Sequence, residues 1–392
     1  MHPNVPHLRF PEFHGEWCVS TIGEQFDLYS GNTPSRLNKE HFEGNVNWIT
    51  SGELKEHYIS DTKEKISEDA ATANNLKLLH PGTFVIAIYG LEADGVRGTG
   101  SITCKESTIS QACMAFTQKG DVKNEFLYSW YKKHGNIIGI KYAQGTKQQN
   151  LSYDILEKFH IAFPSQDEQD KLIKFISLLD ERIATQSKLI EDLKKLKSAI
   201  IEIEYTPNTK TTSHIGNVIE QISKRNKNNA IQNVLSVSNR QGFIKQSDQF
   251  ENRNVASEDT SNYKIVEKND FAFNPARINV GSIARLTTFE NGIVSPMYIC
   301  FRTQENVAPE YIDFFFESKH FYCEIQKRLE GSVRQCLSFE GLCNIPFSLP
   351  TLEMQQRIGK RLFTLGQKIK TETDLLELLN KQKQYLLRQM FI

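Results

Sequence analysis

Two short segments resemble catalytic loops, and both lack essential members. An adenine methyltransferase loop needs Asn or Asp, two prolines and an aromatic residue, because these groups hold a flipped-out base. The segment Asn274-Pro-Ala-Arg277 has neither the second proline nor the aromatic residue. Gly95-Val-Arg-Gly-Thr-Gly100 has the wrong glycine spacing for a turn that binds a dinucleotide or S-adenosylmethionine. The sequence therefore predicts no methyl transfer by this chain.

Phosphate, nuclease and metal sites are equally incomplete. The segment 139–147 resembles a phosphate loop, but five residues separate its glycines and Gln148 replaces the Ser/Thr ligand of magnesium. Asp313 and Glu317 lie on one amphipathic helix without a supporting acidic strand. Seven cysteines form no C-x-x-C pair, and ten histidines show no H-x-x-x-H spacing. We therefore expect no catalytic residue, metal or cofactor in this chain.

Length and hydropathy restrict the class of protein. A chain of 392 residues can form about two to three domains. The longest uncharged apolar run, 84–91, is too short to span a bilayer, and the N-terminus lacks a signal-peptide pattern. An odd number of widely spaced cysteines indicates a reducing compartment. We expect a soluble, cytoplasmic protein without a membrane partner.

The charge of the chain is balanced, with 47 basic and 47 acidic residues, which by itself disfavours a duplex-DNA binder. Residues 119–150 are a local exception, because they hold six lysines and two acidic residues. Such a run is either a phosphate-binding surface or a solvated face. The sequence does not choose between the two.

The chain contains an internal repeat. Residues 145–201 align with 331–387 without a gap, and 16 of the 57 pairs are identical. Weaker similarity extends upstream, where Ile22-Gly23 matches Ile215-Gly216. The order is variable half, shared segment, variable half, shared segment. Identical residues mark the first copy at Gly145, Gln149, Leu151, Ser152, Leu156, Pro164 and Gln169, and the second at Gly331, Gln335, Leu337, Ser338, Leu342, Pro350 and Gln355.

The shared segments predict two long helices. Apolar residues recur in both at steps of four and three, the spacing of a coiled-coil seam. Both seams are interrupted at matching positions, by Gln186 and Glu372 and by Lys197 and Lys383, which favours a single register. About 35 residues span roughly 50 Å as a helix. The seams are Leu172, Ile176, Leu179, Ile183, Ile190, Leu193 and Ile200, and Ile358, Leu362, Leu365, Ile369, Leu376, Leu379 and Leu386.

The variable halves predict mixed domains. Short strand-like runs such as 84–88 and 271–273 alternate with turn-rich loops, and 125–134 and 310–329 have helical patterns. The predicted fold class is α+β, with two globular domains, two long antiparallel coiled-coil helices and an internal pseudo-twofold repeat. The predicted boundaries are 1–163 for the first domain, 164–206 for the central helix, 207–349 for the second domain and 350–392 for the C-terminal helix.

The duplicated motif resembles the specificity subunits of type I restriction–modification systems. Its first copy is Gly145-Thr-Lys-Gln-Gln-Asn-Leu-Ser-Tyr153 and its second is Gly331-Ser-Val-Arg-Gln-Cys-Leu-Ser-Phe339. Each is followed by a proline and a Glu/Gln-rich helix start. Met354 departs from the family, which usually has Glu there. Segments 6–17, 48–52 and 274–282 are also similar, so the resemblance covers essentially the whole chain.

The resemblance implies a specific role. Each half would be a target-recognition domain that reads one part of a split, asymmetric site in double-stranded DNA, and the paired helices would set the spacing. Two methylating (M) subunits that bind S-adenosylmethionine would dock on this scaffold. Nuclease/translocase (R) subunits that use ATP and Mg²⁺ would join them. The chain itself would be neither an enzyme nor a cofactor carrier.

Base recognition needs Arg, Lys, Asn or Gln side chains on loops that a rigid frame holds. Lys147 and Arg334 are near-equivalents after the repeated glycine and are candidate phosphate contacts. Trp48 would either stack at DNA or belong to the core. The predicted DNA-binding residues are Asn32, Thr33, Arg36, Trp48, Arg97, Lys147 and Gln148 in the first half, and Arg277, Asn279, Arg285 and Arg334 in the second.

Two other functions compete with DNA recognition. A coiled-coil adaptor with two protein-binding domains agrees with the neutral charge, but the Asn-, Arg- and Gln-rich loops and the order of the motifs oppose it. A self-contained nuclease or methyltransferase is opposed by the incomplete catalytic motifs.

Overall fold

The chain divides into two compact units. The computed structural model describes residues 4–93, 95–145, 149–206, 213–239, 241–249, 259–331 and 335–392, without the side chains of Asp248 and Gln249. Unit 1 comprises Met1–Gln186 and Leu375–Ile392, and unit 2 comprises Ser187–Asp374. The division between the units passes through both long helices. The four sequence segments proposed above therefore stay a prediction as far as their boundaries are concerned.

Unit 1 combines three sheets with helices. Its described strands are β1 (Cys18–Thr21), β2 (Phe26–Ser30), β3 (Val46–Ile49), β4 (Tyr58–Ile59), β5 (Lys65–Ile66), β6 (Phe84–Ala87), β7 (Gly100–Thr103), β8 (Ser107–Ile109), β9 (Cys113–Gln118) and β10 (His160–Phe163). Its helices are α1 (Ile22–Gln25), α2 (Glu68–Ala73), α3 (Asn124–Tyr142), α4 (Tyr153–Leu156) and the beginning of α5 (Gln166–Tyr205). The sheets have the orders β2-β9-β6-β7-β4, β5-β3-β8 and β1-β10.

Helix α3 runs eight residues beyond the predicted segment 125–134. Two glycines on this extension allow the loop between β6 and β7 to approach closely. A Cβ atom on Gly135 would lie 3.0 Å from the Cα of Gly98, and one on Gly139 would lie 2.4 Å from Cγ of Arg97. The helix therefore continues because its glycines fit the neighbouring loop, although glycine lowers helix propensity.

Unit 2 has the same kinds of elements. Its described strands are β11 (Ser213–His214), β12 (Ile219–Ile222), β13 (Val234–Ser238), β14 (Gly242–Lys245), β15 (Lys264–Glu267), β16 (Phe271–Phe273), β17 (Ile283–Arg285), β18 (Asn291–Val294), β19 (Ile299–Thr303) and β20 (Pro346–Phe347). Its helices are α6 (Gln246–Gln249), α7 (Pro309–Phe315), α8 (Lys319–Gln326), α9 (Phe339–Cys343) and the first part of α10 (Leu352–Met390). The predicted helical segment 310–329 is two helices, because the Ser318 side chain caps a new helix at α8.

The sheets of unit 2 repeat those of unit 1. The order β12-β19-β16-β17 corresponds strand for strand to β2-β9-β6-β7, and β11-β20 corresponds to β1-β10. The remaining sheet, β14-β13-β18-β15, contains a parallel pair β13/β18 that matches the parallel pair β3/β8. The internal repeat is therefore present in the topology of the variable halves as well as in the sequence of the shared segments.

The two long helices α5 and α10 confirm the helical prediction for the shared segments. In unit 1, Lys383 of α10 contacts Asp180 of α5, and Leu387 shares a core with Leu172 and Ile176. Rising numbers on α5 therefore meet falling numbers on α10, which is an antiparallel order. In unit 2, Ile200 and Leu362 belong to one core. None of the helices described is both long and apolar enough to cross a bilayer.

A buried glutamine that is identical in the two copies of the internal repeat lies near the start of each long helix. The Gln169 amide is fully buried; it accepts a hydrogen bond from the backbone N–H of Lys123 at 3.0 Å and donates to the carbonyl oxygens of Pro164 and Asp121. The Gln355 amide accepts from the N–H of Ala308 at 2.9 Å and donates to the Pro350 carbonyl. Gln169 therefore holds the start of α5 against the start of α3, and Gln355 holds the start of α10 against the start of α7.

Replacing either glutamine should destabilise its own unit. We expect Gln169→Ala and Gln355→Ala each to lower the free energy of unfolding by about 2–3 kcal/mol, because buried backbone groups lose their partners. Urea denaturation of the full chain measures this loss. Gln356→Ala, an exposed neighbour, is the control and should change stability by less than about 0.5 kcal/mol. Equal stability of the buried and exposed variants would contradict this role.

His57 and two carboxylates form a cluster that joins β4, α3 and α5 in unit 1. The His57 ring lies between the rings of Tyr58 and Tyr128, with centroids 4.1 and 3.9 Å away. Its Nε2 atom is 2.8 Å from Glu125 Oε2, and its Nδ1 atom is 3.5 Å from Asp180 Oδ2. Burial alone would lower the pKa of His57, but the bonds to Asp180 and Glu125 outweigh burial and raise that pKa above 6.5.

The stability of unit 1 should therefore depend on pH through His57. A raised pKa in the folded state stabilises the fold fully below about pH 6.5, and this contribution is lost as pH rises through the folded value. The stability difference between the wild type and His57→Gln should shrink as the pH rises above about 6.5. Denaturation at several pH values measures it. A difference that does not change with pH would refute the assignment.

Candidate nucleic-acid interface

We call the sheet β2-β9-β6-β7-β4 the central sheet of unit 1, and β12-β19-β16-β17 the central sheet of unit 2. In each unit, most of the predicted DNA-binding residues lie on loops that follow strands of the central sheet, on one side of that sheet. In unit 1, Ser30 at the end of β2 pairs with Met114, and Ala87 at the end of β6 pairs with Cys113. Both strands therefore end where β9 begins. The loops after β2 and β6 contain Asn32, Thr33, Arg36 and Arg97, so these four residues follow strands that end at the same sheet edge. We call this side of the central sheet the loop edge.

The loop edge of unit 2 has the same construction. Ile222 at the end of β12 pairs with Cys300, and Phe273 at the end of β16 pairs with Ile299. The loop after β16 holds Arg277 and Asn279. The repeat thus places different polar side chains at equivalent edges of two equivalent sheets, which is the arrangement expected of two domains that read different sequences.

The first loop of unit 1, 31–38, is held firmly on the sheet. Trp48 Nε1 donates to the Asn32 carbonyl at 3.2 Å, and the Asn32 side chain caps the N–H of Thr33 at 2.8 Å. Arg36 forms two hydrogen bonds of 2.8 Å with Glu64 and lies 5.0 Å from the centroid of Phe42. The bond to Arg36 holds the pKa of Glu64 below its ordinary value. Asn32 and Arg36 are exposed and Thr33 is partly exposed.

The loop between β6 and β7 of unit 1 is hydrogen-bonded to the repeated motif. Arg97 Nη2 donates to Gln149 Oε1 at 2.9 Å, Glu92 Oε2 accepts from the Gln149 N–H at 2.8 Å, and the Leu91 N–H donates to the Gln149 carbonyl. Arg97 is partly buried, with its stem over Gly139. The structure therefore gives Arg97 a part in holding the loop against the motif.

The repeated motif meets the loop edge in the same way in both units. Leu151 donates its N–H to the Ile88 carbonyl, and its counterpart Leu337 donates to the Pro275 carbonyl. The motif glycines, Gly145 and Gly331, have φ angles of 112° and 106°, which favour glycine. Three predicted contacts within the motif, Lys147, Gln148 and Arg334, lie outside the described residues.

The loops of unit 2 contain both predicted and overlooked candidates. Arg277 is exposed and Asn279 partly exposed, and neither side chain has a hydrogen-bond partner among the residues described. Loop 223–233, which follows β12, was not predicted. It contains Lys224, Arg225 and Lys227 without any acidic residue, and all three are exposed. The run of basic and amide residues in Ser-Lys-Arg-Asn-Lys-Asn-Asn is the signal in the sequence that would have found it.

Two predicted contacts are corrected by their burial. Trp48 is only 2% exposed and packs with Phe42 and Ile66, so it supports the loop rather than stacking at DNA. The Arg285 side chain is 7% exposed and binds Asn269, Glu310 and Asp313. Three of the five N–H donors of this guanidinium are engaged within unit 2, and the side chain is buried, so it is poorly placed to reach a base.

The basic run 119–150 is mostly absorbed within unit 1. Lys119 pairs with Asp27, and Lys123 contacts Asp170. Lys133 donates to the carbonyl oxygens of Arg388 and Phe391, and burial lowers the pKa of Lys132 to about 8. These four lysines therefore serve largely to hold α3 and its flanking residues against other parts of unit 1.

The sequence of this chain matches one protein family over two regions. The type I restriction modification DNA specificity domain matches twice, over residues 14–195 and 200–381. The MjaIX specificity subunit of Methanocaldococcus jannaschii is 28% identical over 46% of this chain and 42% of its own length, less than half of that relative. The MjaVIII specificity subunit of the same organism is 23% identical over 96% of this chain and 92% of its length.

A solved structure has the same fold. The S subunit of a type I restriction–modification system from M. genitalium superposes with a TM-score of 0.61 over 99% of both chains, at 18% identity. The two domain matches together cover most of the 392 residues. This chain therefore belongs to the family of type I restriction–modification DNA specificity subunits, and it carries two copies of the family's domain.

Proposed function

We propose that this chain reads a split, asymmetric sequence in double-stranded DNA, with one part read at the loop edge of unit 1 and the other at that of unit 2. The observation that carries this proposal is the repeated sheet topology, which presents different polar side chains at equivalent edges. Family membership makes the chain a specificity component rather than an enzyme. Divergent loops on a repeated frame are what two different half-sites require.

The contacts that we propose follow from exposure and charge. Asn32, Thr33, Arg36, Arg277 and Asn279 can offer paired hydrogen bonds to base edges or single bonds to phosphates. When DNA binds, Arg36 would break its ion pair with Glu64 and bind the DNA instead. Arg97 would chiefly position its loop. The proposed phosphate contacts are Lys147, Gln148 and Arg334 from the repeated motif, together with Lys224, Arg225 and Lys227 of loop 223–233.

The chemistry of the proposed complex belongs to partner subunits. We propose that two methylating (M) subunits supply bound S-adenosylmethionine, and that nuclease/translocase (R) subunits supply ATP and Mg²⁺ in the cytoplasm. Among the residues described, no group of three or more His, Cys, Asp or Glu residues is arranged to hold a metal ion. The adaptor function considered from the sequence explains neither the family match nor the basic loop 223–233.

Salt-dependent binding to duplex DNA tests the proposal. Each phosphate contact contributes about 0.9 to the slope of log K against log salt. In a complex with the M subunit, replacing Lys224, Arg225 and Lys227 with alanine should reduce that slope by about 2–3. The control replaces Lys188, Lys194 and Lys195 on α5, which changes the net charge of unit 2 equally. Unchanged slopes for the loop variant, or equal changes in both, would contradict DNA contact at the loop edge.

A further inference from the structure

A leucine in the first loop of unit 1 is almost fully exposed to solvent. Leu37 is 98% exposed, and the next most exposed large apolar side chain in the described part of the chain is Ile203, at 77%. Arg36 and Asn38 flank it, so an apolar group projects from a polar loop. A single exposed leucine is ordinary by itself. The conformation of the loop around Leu37 indicates a function for this side chain.

The loop that presents Leu37 is braced on both sides. Gly31 approaches the backbone so closely that a Cβ atom there would lie 1.8 Å from the Ile109 carbonyl oxygen. Pro34 is buried, and Asn38 caps the N–H of Glu40 at 3.1 Å. Because Gly31, Pro34 and Asn38 hold the backbone in this way, the leucine is displayed by a preorganised turn. Burying it against a ligand would therefore cost little ordering of the backbone.

We propose that Leu37 is an apolar wedge that enters the base stack at one step of the half-site read by unit 1. Leucine is among the side chains that separate base steps and bend the duplex when a neighbouring protein surface binds the backbone. Arg36 and Asn32, which can bind phosphates and bases, lie in the same loop. This inference rests on the proposed function, and it adds a residue that reads the deformability of a step rather than its hydrogen-bonding groups.

Fluorescence of 2-aminopurine tests the wedge, because this base emits when it is unstacked. The complex of the chain with its M subunit is bound to a cognate duplex with the probe placed at successive positions of the half-site, apart from the methylated adenine. Wild type should raise emission at one step, and Leu37→Ala should abolish that rise and weaken binding by about tenfold to a hundredfold. Thermal denaturation should be unchanged by Leu37→Ala, since the side chain is exposed.

Controls separate the wedge from a groove contact and from a general loss of apolar surface. Leu8→Ala, the same substitution at a 40% exposed leucine beside Gln389, should leave emission and affinity unchanged. If Leu37→Ala weakens binding only to duplexes that contain thymine rather than deoxyuridine, Leu37 touches a thymine methyl group and the wedge is refuted. If wild type prefers its cognate duplex but Leu37→Ala matches it in every respect, the wedge alone is refuted. If wild type shows no preference for any duplex, the proposed function itself fails.

Discussion

Replacing Arg9 with alanine is expected to lower the free energy of unfolding of the chain by about 3–5 kcal/mol. The Arg9 guanidinium meets both carboxylate oxygens of Glu168, at 2.8 and 2.7 Å. The Glu168 side chain is only 2% exposed and that of Arg9 13%. Removing the cation would therefore leave a carboxylate buried without a countercharge, which costs far more than the loss of a surface pair.

Matched variants make this prediction specific. The second copy of the repeat has Met354 in place of Glu168. Met354 is exposed, and the arginine that contacts its sulfur, Arg357, belongs to the same helix. Combining Arg9→Met with Glu168→Met should restore stability to within about 1 kcal/mol of the wild type. Arg36→Ala, which breaks an exposed pair, should cost far less than Arg9→Ala. Urea denaturation of the full chain compares the four proteins, and an Arg9→Ala variant as stable as Arg36→Ala would refute the buried pair.

Replacing Arg285 with alanine should destabilise unit 2 by about 3 kcal/mol, the lower end of the range for buried pairs. Arg285 Nη1 binds Glu310 at 2.7 Å, and its Nε binds Asp313 at 3.1 Å. Both carboxylates keep partial contact with solvent, which limits the loss. Burial raises the pKa of Asp313 and Arg285 opposes the shift, so removing the arginine takes away the partner that favours the charged carboxylate.

The matched control is Arg277→Ala, because sequence alone makes both arginines DNA-binding candidates. Arg277 is exposed, so its replacement should change the free energy of unfolding by less than about 0.5 kcal/mol. It should instead weaken binding to cognate DNA by about 1–3 kcal/mol. Denaturation and duplex binding, measured on both variants, should separate the two roles. Loss of stability in Arg277→Ala, or full stability in Arg285→Ala, would reverse the assignment.

The sequence predicted the scaffold well because its signals are local and repeated. The heptad seams predicted the two long helices α5 and α10, and the strand-like runs at 84–88 and 271–273 correspond to β6 and β16. The identical offsets of the motif predicted two equivalent halves. Each signal depends on residues within a few positions of one another, so no knowledge of distant contacts was required.

The burial and the partners of an individual side chain depend on residues that are distant in the sequence, so they were harder to predict. Arg285 pairs with Glu310 and Asp313, more than 20 residues further along the chain, and nothing in its own strand β17 indicates that pairing. The lysines of 119–150 find partners such as Asp27 and the C-terminal carbonyl groups. The basic loop 223–233 was visible in the sequence, but its position at the loop edge follows only from the pairing of β12 with β19.

The central claim is that each unit reads one part of the DNA target. A variant in one unit should therefore change only the part that this unit reads. Variants are expressed with the M subunit in a host, and single-molecule sequencing then maps N6-methyladenine in its DNA. Wild type should methylate one split motif. Replacing Asn32 and Arg36 with alanine should relax one part of that motif only.

Replacing Arg277 and Asn279 with alanine should relax the other part only, while the spacer between the two parts keeps its length. These results would assign each half-site to one loop edge. A motif that changes in both parts with either pair of substitutions, or that does not change with any of them, would contradict recognition by two independent units.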